Sequence, residues 1–185
     1  MTELRGLYGM ADADFGDPAR QARLLADNGA CCVQIRCKGW SRDRLVRLVE
    51  GLDLGVPVLV NDHIGLADGT HLGKGDGPLP AHGVRGRSTR SLADIDAAVD
   101  EGATYVGFGP VFPTTTKDIA LVLGLQRLRA AVQHAPVPVV AIGGITLDAL
   151  PQLVDTGVAC WAVISGVWRT PDPAAAIRAF SRAGQ

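Results

Sequence analysis

Short runs of β-branched and aliphatic residues alternate with segments of helical spacing from one end of the chain to the other. Leu7–Met10 leads into a helix predicted from about Pro18 to Asn28, and Cys31–Arg36 into one from about Arg42 to Gly51. Val56–Asn61, Gly69–Leu72 and Val84–Ser88 then follow in quick succession. A helix at Leu92–Glu101 separates these from Thr104–Phe108, and a helix at Gly124–Gln133 separates that run from Val137–Ile142. The pattern closes with a helix at Leu147–Asp155, a strand at Ala159–Ile164 and a helix at Pro173–Ser181. Several strand candidates are almost unbroken in Val, Ile and Leu, the mark of strands buried on both faces of a parallel sheet.

Eight strand candidates interleaved with helices predict an α/β fold, a (β/α)8 TIM barrel in a single domain, rather than an open doubly wound sheet. The chain is 185 residues long, whereas such barrels usually take ~250 residues with a lower limit near ~200. The shortage is local. Strands three, four and five lie so close in sequence that helices 3 and 4 are expected to be shortened or missing, replaced by the loops Asp62–Asp68 and Gly73–Gly83.

Barrel chemistry sits at the C-terminal ends of the strands, and those ends are polar here. Strand two ends in Gln34-Ile-Arg36-Cys-Lys38, strand three in Asn61-Asp62-His63, strand four in His71-Leu-Gly-Lys74-Gly-Asp76, and strand five in Arg87-Ser88-Thr89-Arg90. Strand six runs into Thr114-Thr115-Thr116-Lys117, strand seven into Gly143-Gly144, and strand eight into Ser165-Gly166. The opposite ends show no such enrichment. That asymmetry is the main sequence-level sign of an active site.

Composition narrows the partners. With 47% hydrophobic and 20% charged residues the chain can build a substantial core, and its net charge is −1 without any basic run. Nucleic acid and anionic membrane surfaces are therefore not expected partners, and any anion site must be built locally. No apolar stretch reaches membrane-spanning length and the N-terminus lacks a signal-like apolar segment, so a cytoplasmic protein is expected. Cys31, Cys32, Cys37 and Cys160 include no Cys-x-x-Cys pair and read as small core hydrophobes in a reducing compartment.

Three constellations carry chemistry. Gln34, Arg36 and Lys38 alternate at period two and share one side of their strand; a guanidinium and an ammonium together suit a multiply charged anion, and the amide suits a heterocycle. Asp62 and Asp76 follow consecutive strands and could share a cation such as Mg²⁺ together with substrate oxygens and water, although either also makes a ready turn or helix cap. Thr114, Thr116 and Lys117 combine hydroxyls with an ammonium beyond a Gly-Pro break, and the glycines after strands seven and eight let backbone N–H groups approach a phosphate. Simple turn punctuation would explain those glycines equally well. His71 sits at a strand end, where it either touches a ligand or serves the core.

Taken in order, Gln34-x-Arg36-x-Lys38, Val60-Asn61-Asp62, His71-Leu-Gly-x-x-Asp76, Ser88-Thr89, Gly107-x-Gly-Pro-x-Phe-Pro-Thr114-x-Thr116-Lys117, Ala141-Ile-Gly-Gly144-Ile and Val163-Ile-Ser165 resemble the thiamine phosphate synthase family over essentially the whole chain. The resemblance implies a transferase of thiamine biosynthesis. It would join 4-amino-5-hydroxymethyl-2-methylpyrimidine diphosphate to thiazole phosphate and release diphosphate, with Mg²⁺ as cofactor. It implies that Arg36, Lys38, Asn61 and Lys117 grip the diphosphate and that Asp62 and Asp76 hold the metal. Gln34 and Ser88 would face the pyrimidine, with His71 close to the ligand. Thr114, Thr116, Gly144, Ile164 and Ser165 would hold the thiazole and its phosphate. Small-molecule substrates are thus the expected partners, with a homodimer as a candidate assembly.

The chain departs from the family pattern in places. The family usually carries an arginine after Asn-Asp, where this chain has His63, and the segment before His71 is short. A related thiazole tautomerase branch shares Gly86-Arg87-Ser88 and Ser165-Gly166 but uses a histidine two residues after the serine, where this chain has Arg90. A tautomerase-like enzyme, or a non-catalytic protein that binds thiazole phosphate or thiamine phosphate, are the alternatives. The intact Gln-x-Arg-x-Lys and Thr-x-Thr-Lys sets favour the synthase.

Overall fold

The computed structural model describes residues 4–114 and 121–183. Eight parallel strands close into a barrel in simple sequence order: β1 (Gly6–Asp12), β2 (Cys32–Arg36), β3 (Val58–Asn61), β4 (Gly69–Leu72), β5 (Val84–Thr89), β6 (Tyr105–Phe108), β7 (Val139–Ile142) and β8 (Cys160–Val163). The ring shuts where β1 pairs with β8, Gly6 opposite Cys160 and Tyr8 opposite Ala162. Helices α1 (Pro18–Asp27), α2 (Arg42–Glu50), α3 (Leu92–Asp100), α4 (Gly124–His134), α5 (Leu150–Val154), α6 (Ser165–Trp168) and α7 (Pro173–Arg182) accompany the strands.

Local sequence explains the helix ends. Asp17 caps α1 by accepting the Ala19 N–H at 2.9 Å, and Pro18 occupies the first helical position, where no N–H is required. Asp172 and Pro173 repeat this device at α7, with Asp172 accepting the Ala175 N–H at 2.9 Å. Ala22 and Leu25 of α1, and Ile177 and Phe180 of α7, turn to the barrel at helical spacing and are buried.

The period-two alternation of the strands divides the core in two. Val33 and Ile35, Val106 and Phe108, and Trp161 and Val163 face the helices in the outer core. Tyr8, Met10, Cys32, Leu59, Tyr105, Val140, Cys160 and Ala162 fill the barrel itself. The inward set continues toward the C-terminal ends with polar residues, and this is what places the site.

No helix occurs at residues 62–68 or 73–83, so positions 3 and 4 of the helical ring lack helices. Polar side chains on the outer barrel face stand in. Arg87, buried on β5, donates to the carbonyls of Gly73 at 3.0 Å and Gly77 at 2.9 Å, and pairs with Glu101 beyond α3 at 2.6 Å. Thr70 Oγ1 on β4 lies 3.0 and 2.8 Å from the carbonyl oxygens of Val60 and His63, which share its one hydrogen. These contacts satisfy backbone oxygens that a helix would otherwise cover. Two details differ from expectation. The segment Leu147–Val154 divides into a 3₁₀ turn and the short α5, and a turn of helix, α6, begins at Ser165 directly after β8.

Candidate active site

A cavity of about 350 Å³ opens at the C-terminal end of the barrel, within the range of small-molecule sites. Of the residues expected from sequence, Gln34, Arg36, Asn61, His71, Ser88, Thr114, Gly144, Ile164 and Ser165 all line it. Met10, Gly73, Lys74, Thr89, Arg90, Ile142 and Gly143 also contribute to the wall.

One side of the floor is a chain of buried hydrogen bonds. Gln34 Nε2 donates to Tyr8 Oη at 3.1 Å, Tyr8 and Tyr105 share a hydrogen bond at 2.7 Å, Tyr105 Oη meets His71 Nδ1 at 2.9 Å, and His71 Nε2 meets Ser88 Oγ at 2.9 Å. One continuous direction is open to the chain: Tyr8, which accepts from the amide, donates to Tyr105, Tyr105 donates to His71 Nδ1, and a neutral His71 donates from Nε2 to Ser88. In that direction the Ser88 hydroxyl hydrogen and the Gln34 amide oxygen are left to address a ligand. The two thus offer one donor and one acceptor, the complement of an aminopyrimidine edge. Burial pushes both tyrosine hydroxyls well above their ordinary pKa, so they stay neutral.

The chain exists because of a glycine. A Cβ on Gly86 would lie 2.2 Å from Tyr105 Oη and 2.5 Å from His71 Nδ1. Only a residue without a side chain at this inward position of β5 admits the Tyr105–His71 contact.

Arg36 is the charged centre of the other side. Its guanidinium bonds the carboxylate of Asp12, and both side chains are buried. Asp12 is itself fixed: its carboxylate accepts the Asp14 N–H at 3.0 Å, and its backbone exchanges hydrogen bonds with the Gln21 side chain at 2.7 and 3.2 Å. Asp12 therefore holds Arg36 in one orientation. At the rim, Lys74 pairs with Asp94 at 2.9 Å, and Asp94 also accepts the Arg90 N–H at 2.9 Å.

Lys38 does not share the wall with Gln34 and Arg36. β2 ends at Arg36, and Lys38 falls in the exposed turn beyond it, so the alternation stops one step short. Asp62 and Asp76 likewise sit at the exposed rim rather than in the cavity wall. Asp62 adopts a left-handed backbone, φ 62°. Burial pushes its carboxyl up, the nearby Asp76 carboxylate adds to that push, and Lys38, His63 and Arg36 oppose it. The two carboxylates and Lys38 therefore feel one another across the rim. Asp76 Oδ2 accepts the Gly73 N–H at 2.6 Å, so this carboxylate does close a turn, as an Asp cap would. Among the described residues no cluster of three or more His, Cys, Asp or Glu could hold a metal; a pair of carboxylates suits Mg²⁺, which commonly takes the rest of its shell from phosphate and water.

The far wall is built from the loops after β6, β7 and β8. Gly143 and Gly144 both have positive φ, and a Cβ on Gly144 would lie 2.2 Å from the Pro113 carbonyl oxygen. Val111 and Phe112 donate backbone N–H groups to Ile142 and Gly143 at 2.9 and 3.0 Å, which locks the two loops together. The glycines thus serve packing while also lining the cavity. Thr116 and Lys117 lie outside the described residues.

Tyr8, Tyr105 and Asp12 were not singled out from the sequence. Inward phase alone would find the tyrosines, since Tyr8 precedes Met10 and Tyr105 precedes Gly107 by two positions. Asp12 escapes notice when β1 is ended at Met10; the strand runs two residues further.

A parallel eight-stranded barrel with a polar cavity at its C-terminal face and convergent cationic, hydroxyl and glycine-rich walls defines an enzyme that handles a phosphorylated small molecule. The chain belongs to the thiamine monophosphate synthase family, whose model matches residues 7–167. It is 38% identical to a thiamine-phosphate synthase of Anaeromyxobacter dehalogenans, the match covering 94% of this chain and 85% of the relative. It is 38% identical to a thiamine biosynthesis bifunctional protein of Geobacter sulfurreducens over 94% of this chain, which spans only 39% of that longer protein. The solved thiamine phosphate pyrophosphorylase from Pyrococcus furiosus superposes with a TM-score of 0.85 at 30% identity, covering 96% of this chain and 94% of its own.

Proposed function

We propose that this chain is a thiamine phosphate synthase that acts in the cytoplasm on a pyrimidine diphosphate and a thiazole phosphate. The observation that carries the reading is the division of one cavity into two unlike walls. The Gln34–Ser88 wall would offer an acceptor and a donor to an aminopyrimidine. Thr114, Gly144, Ile164 and Ser165, on the far wall, suit the thiazole and its phosphate.

In the reaction the bond between the pyrimidine methylene and its diphosphate oxygen breaks, and the thiazole nitrogen supplies the electron pair for the new C–N bond. Arg36 and Asn61 line the cavity and would meet the departing diphosphate, and Lys38 and Lys117 would complete the expected grip. Asp12 holds the Arg36 guanidinium ready, so that little reorganisation is needed as charge develops on the leaving group. Holding the nucleophile across the cavity supplies proximity. Asp62 and Asp76 would hold Mg²⁺, which when bound adds positive charge to the diphosphate. Nothing in the geometry favours a tautomerase, since Arg90 stands at the histidine position of that branch.

The test is diphosphate release from purified protein given both substrates and Mg²⁺. Release that requires both substrates is expected. Binding of thiazole phosphate with no release above background would overturn the synthase reading, and unchanged rate and Mg²⁺ dependence in Asp62→Ala and Asp76→Ala would overturn the metal assignment.

A further inference from the structure

At the end of the barrel opposite the cavity, two cysteines from non-adjacent strands meet across β1. Cys31, just before β2, places its Sγ 3.8 Å from Sγ of Cys160 on β8. Cys31 is partly exposed, whereas Cys160 and Cys32 are fully buried and neither Cys31 nor Cys160 lines the cavity. β1 is the strand on which the barrel closes, paired to β2 on one edge and β8 on the other.

We propose that Cys31 and Cys160 are an oxidisable thiol pair, in which a hydroperoxide reacts at Cys31 and the two sulfurs then close to a disulfide across the barrel seam. The Cys31 thiolate attacks the peroxide O–O bond, giving a sulfenic acid and releasing the other oxygen as water or alcohol. Cys160 displaces the sulfenic oxygen, forming the S–S bond and releasing water; each cysteine gives up one electron, and the two together are taken by one peroxide. The sulfurs must approach by roughly 1.8 Å to reach disulfide length, a distance that side-chain rotation can supply.

The surroundings sort the four cysteines into roles. Hydrogen bonding from Cys160 and Cys32 lowers the Cys31 pKa to about 4, the thiolate form that reacts with peroxides. Burial raises Cys160 and Cys32, and pushes Cys37, at the other end of β2, up to about 11. Of the pair, only Cys31 is partly exposed, and Cys160 is buried. Cys31 is thus the entry point and Cys160 the resolving thiol.

The experiment is to treat the protein with hydrogen peroxide, quench under denaturing conditions, count remaining thiols and map the linked peptides. Two of the four thiols should disappear, and the linkage should join Cys31 to Cys160, persist in Cys32→Ala and reverse with dithiothreitol. The loop enclosed is long, so the Tm of the oxidised protein should rise by roughly 10 °C. In Cys160→Ser, which keeps a donor beside Cys31 but cannot form the disulfide, Cys31 should stop at a sulfenic acid that dimedone traps. Survival of all four thiols, or linkage through Cys32, overturns the proposal; the wild-type map decides this even if a variant fails to fold.

Discussion

Replacing Tyr105 with phenylalanine removes one oxygen and leaves the ring, so it isolates the hydrogen-bond chain beneath the cavity. That hydroxyl lies 2.7 Å from Tyr8 Oη and 2.9 Å from His71 Nδ1, in a fully buried position. Each hydrogen bond is worth about 1 kcal/mol net, and leaving a buried polar partner behind costs about 1–3 kcal/mol. With two partners affected, Tyr105→Phe should lose about 2–4 kcal/mol in urea unfolding, or roughly 5–15 °C in Tm for a chain of this size. The functional effect follows from direction. Removing the Tyr105 hydroxyl takes away the donor at His71 Nδ1 on which this direction depends, so Ser88 no longer offers its hydrogen reliably. The expected result is a fall of about tenfold in kcat/KM for the pyrimidine diphosphate, equivalent to about 1.4 kcal/mol, with KM for thiazole phosphate unchanged. Tyr8→Phe and the double variant complete a cycle whose coupling should be about 1 kcal/mol or more. A Tyr105→Phe protein that unfolds within about 0.5 kcal/mol of the parent and keeps its kcat/KM would refute the directed chain.

Two further predictions rest on the charged contacts. Asp12→Ala removes the close carboxylate of a buried guanidinium, leaving Asp14 at 3.7 Å, and should cost about 3–5 kcal/mol in chemical unfolding; Asp12→Asn, which keeps an acceptor for the Asp14 N–H but not the charge, should cost nearly as much, and a far smaller loss in the asparagine variant would show that charge pairing with Arg36 is not the cause. Burial alone would raise the Asp94 carboxyl, but hydrogen bonds from Lys74 and the Arg90 N–H outweigh it and hold the carboxyl below its usual range. Its folded pKa is thus the lower one, so its contribution to stability is present above the ordinary carboxylate pKa and fades as pH falls through the folded value. The stability gap between parent and Asp94→Asn should therefore shrink from pH 6 toward acid pH in urea titrations, and a gap that widens would contradict the sign.

The barrel and most of its cavity were legible because a parallel closed sheet imposes a strict inward and outward alternation. Once Gln34 is placed inward, Cys32 and Arg36 follow, and the polar strand ends fall together without further information. The signal failed where alternation stops. Lys38 lies two positions beyond Arg36 in sequence, yet the chain has already turned, and strand length is set by pairing with β1 and β3 rather than by local composition. Asp12 failed for the converse reason, since β1 outlasts its apolar run. The tyrosines were hidden by type: an aromatic in a strand reads as core, and only the positions of Gln34, His71 and Gly86 around them reveal that their hydroxyls matter. The split of the segment before β8 and the extra turn α6 depend on packing that no local pattern encodes.

The loss of two helices also changes the chain statistics of the barrel. Residues 62–68 connect β3 to β4 with a third of the length that residues 37–57 use between β2 and β3. Closing the shorter loop saves ~1 kcal/mol of chain entropy, and it brings β3 and β4 together with little search. A quarter of the sheet is therefore tethered almost as tightly as a hairpin while remaining parallel. Trimming removes helical surface that would shelter the barrel, and returns part of that loss as a smaller entropic cost of bringing its strands together.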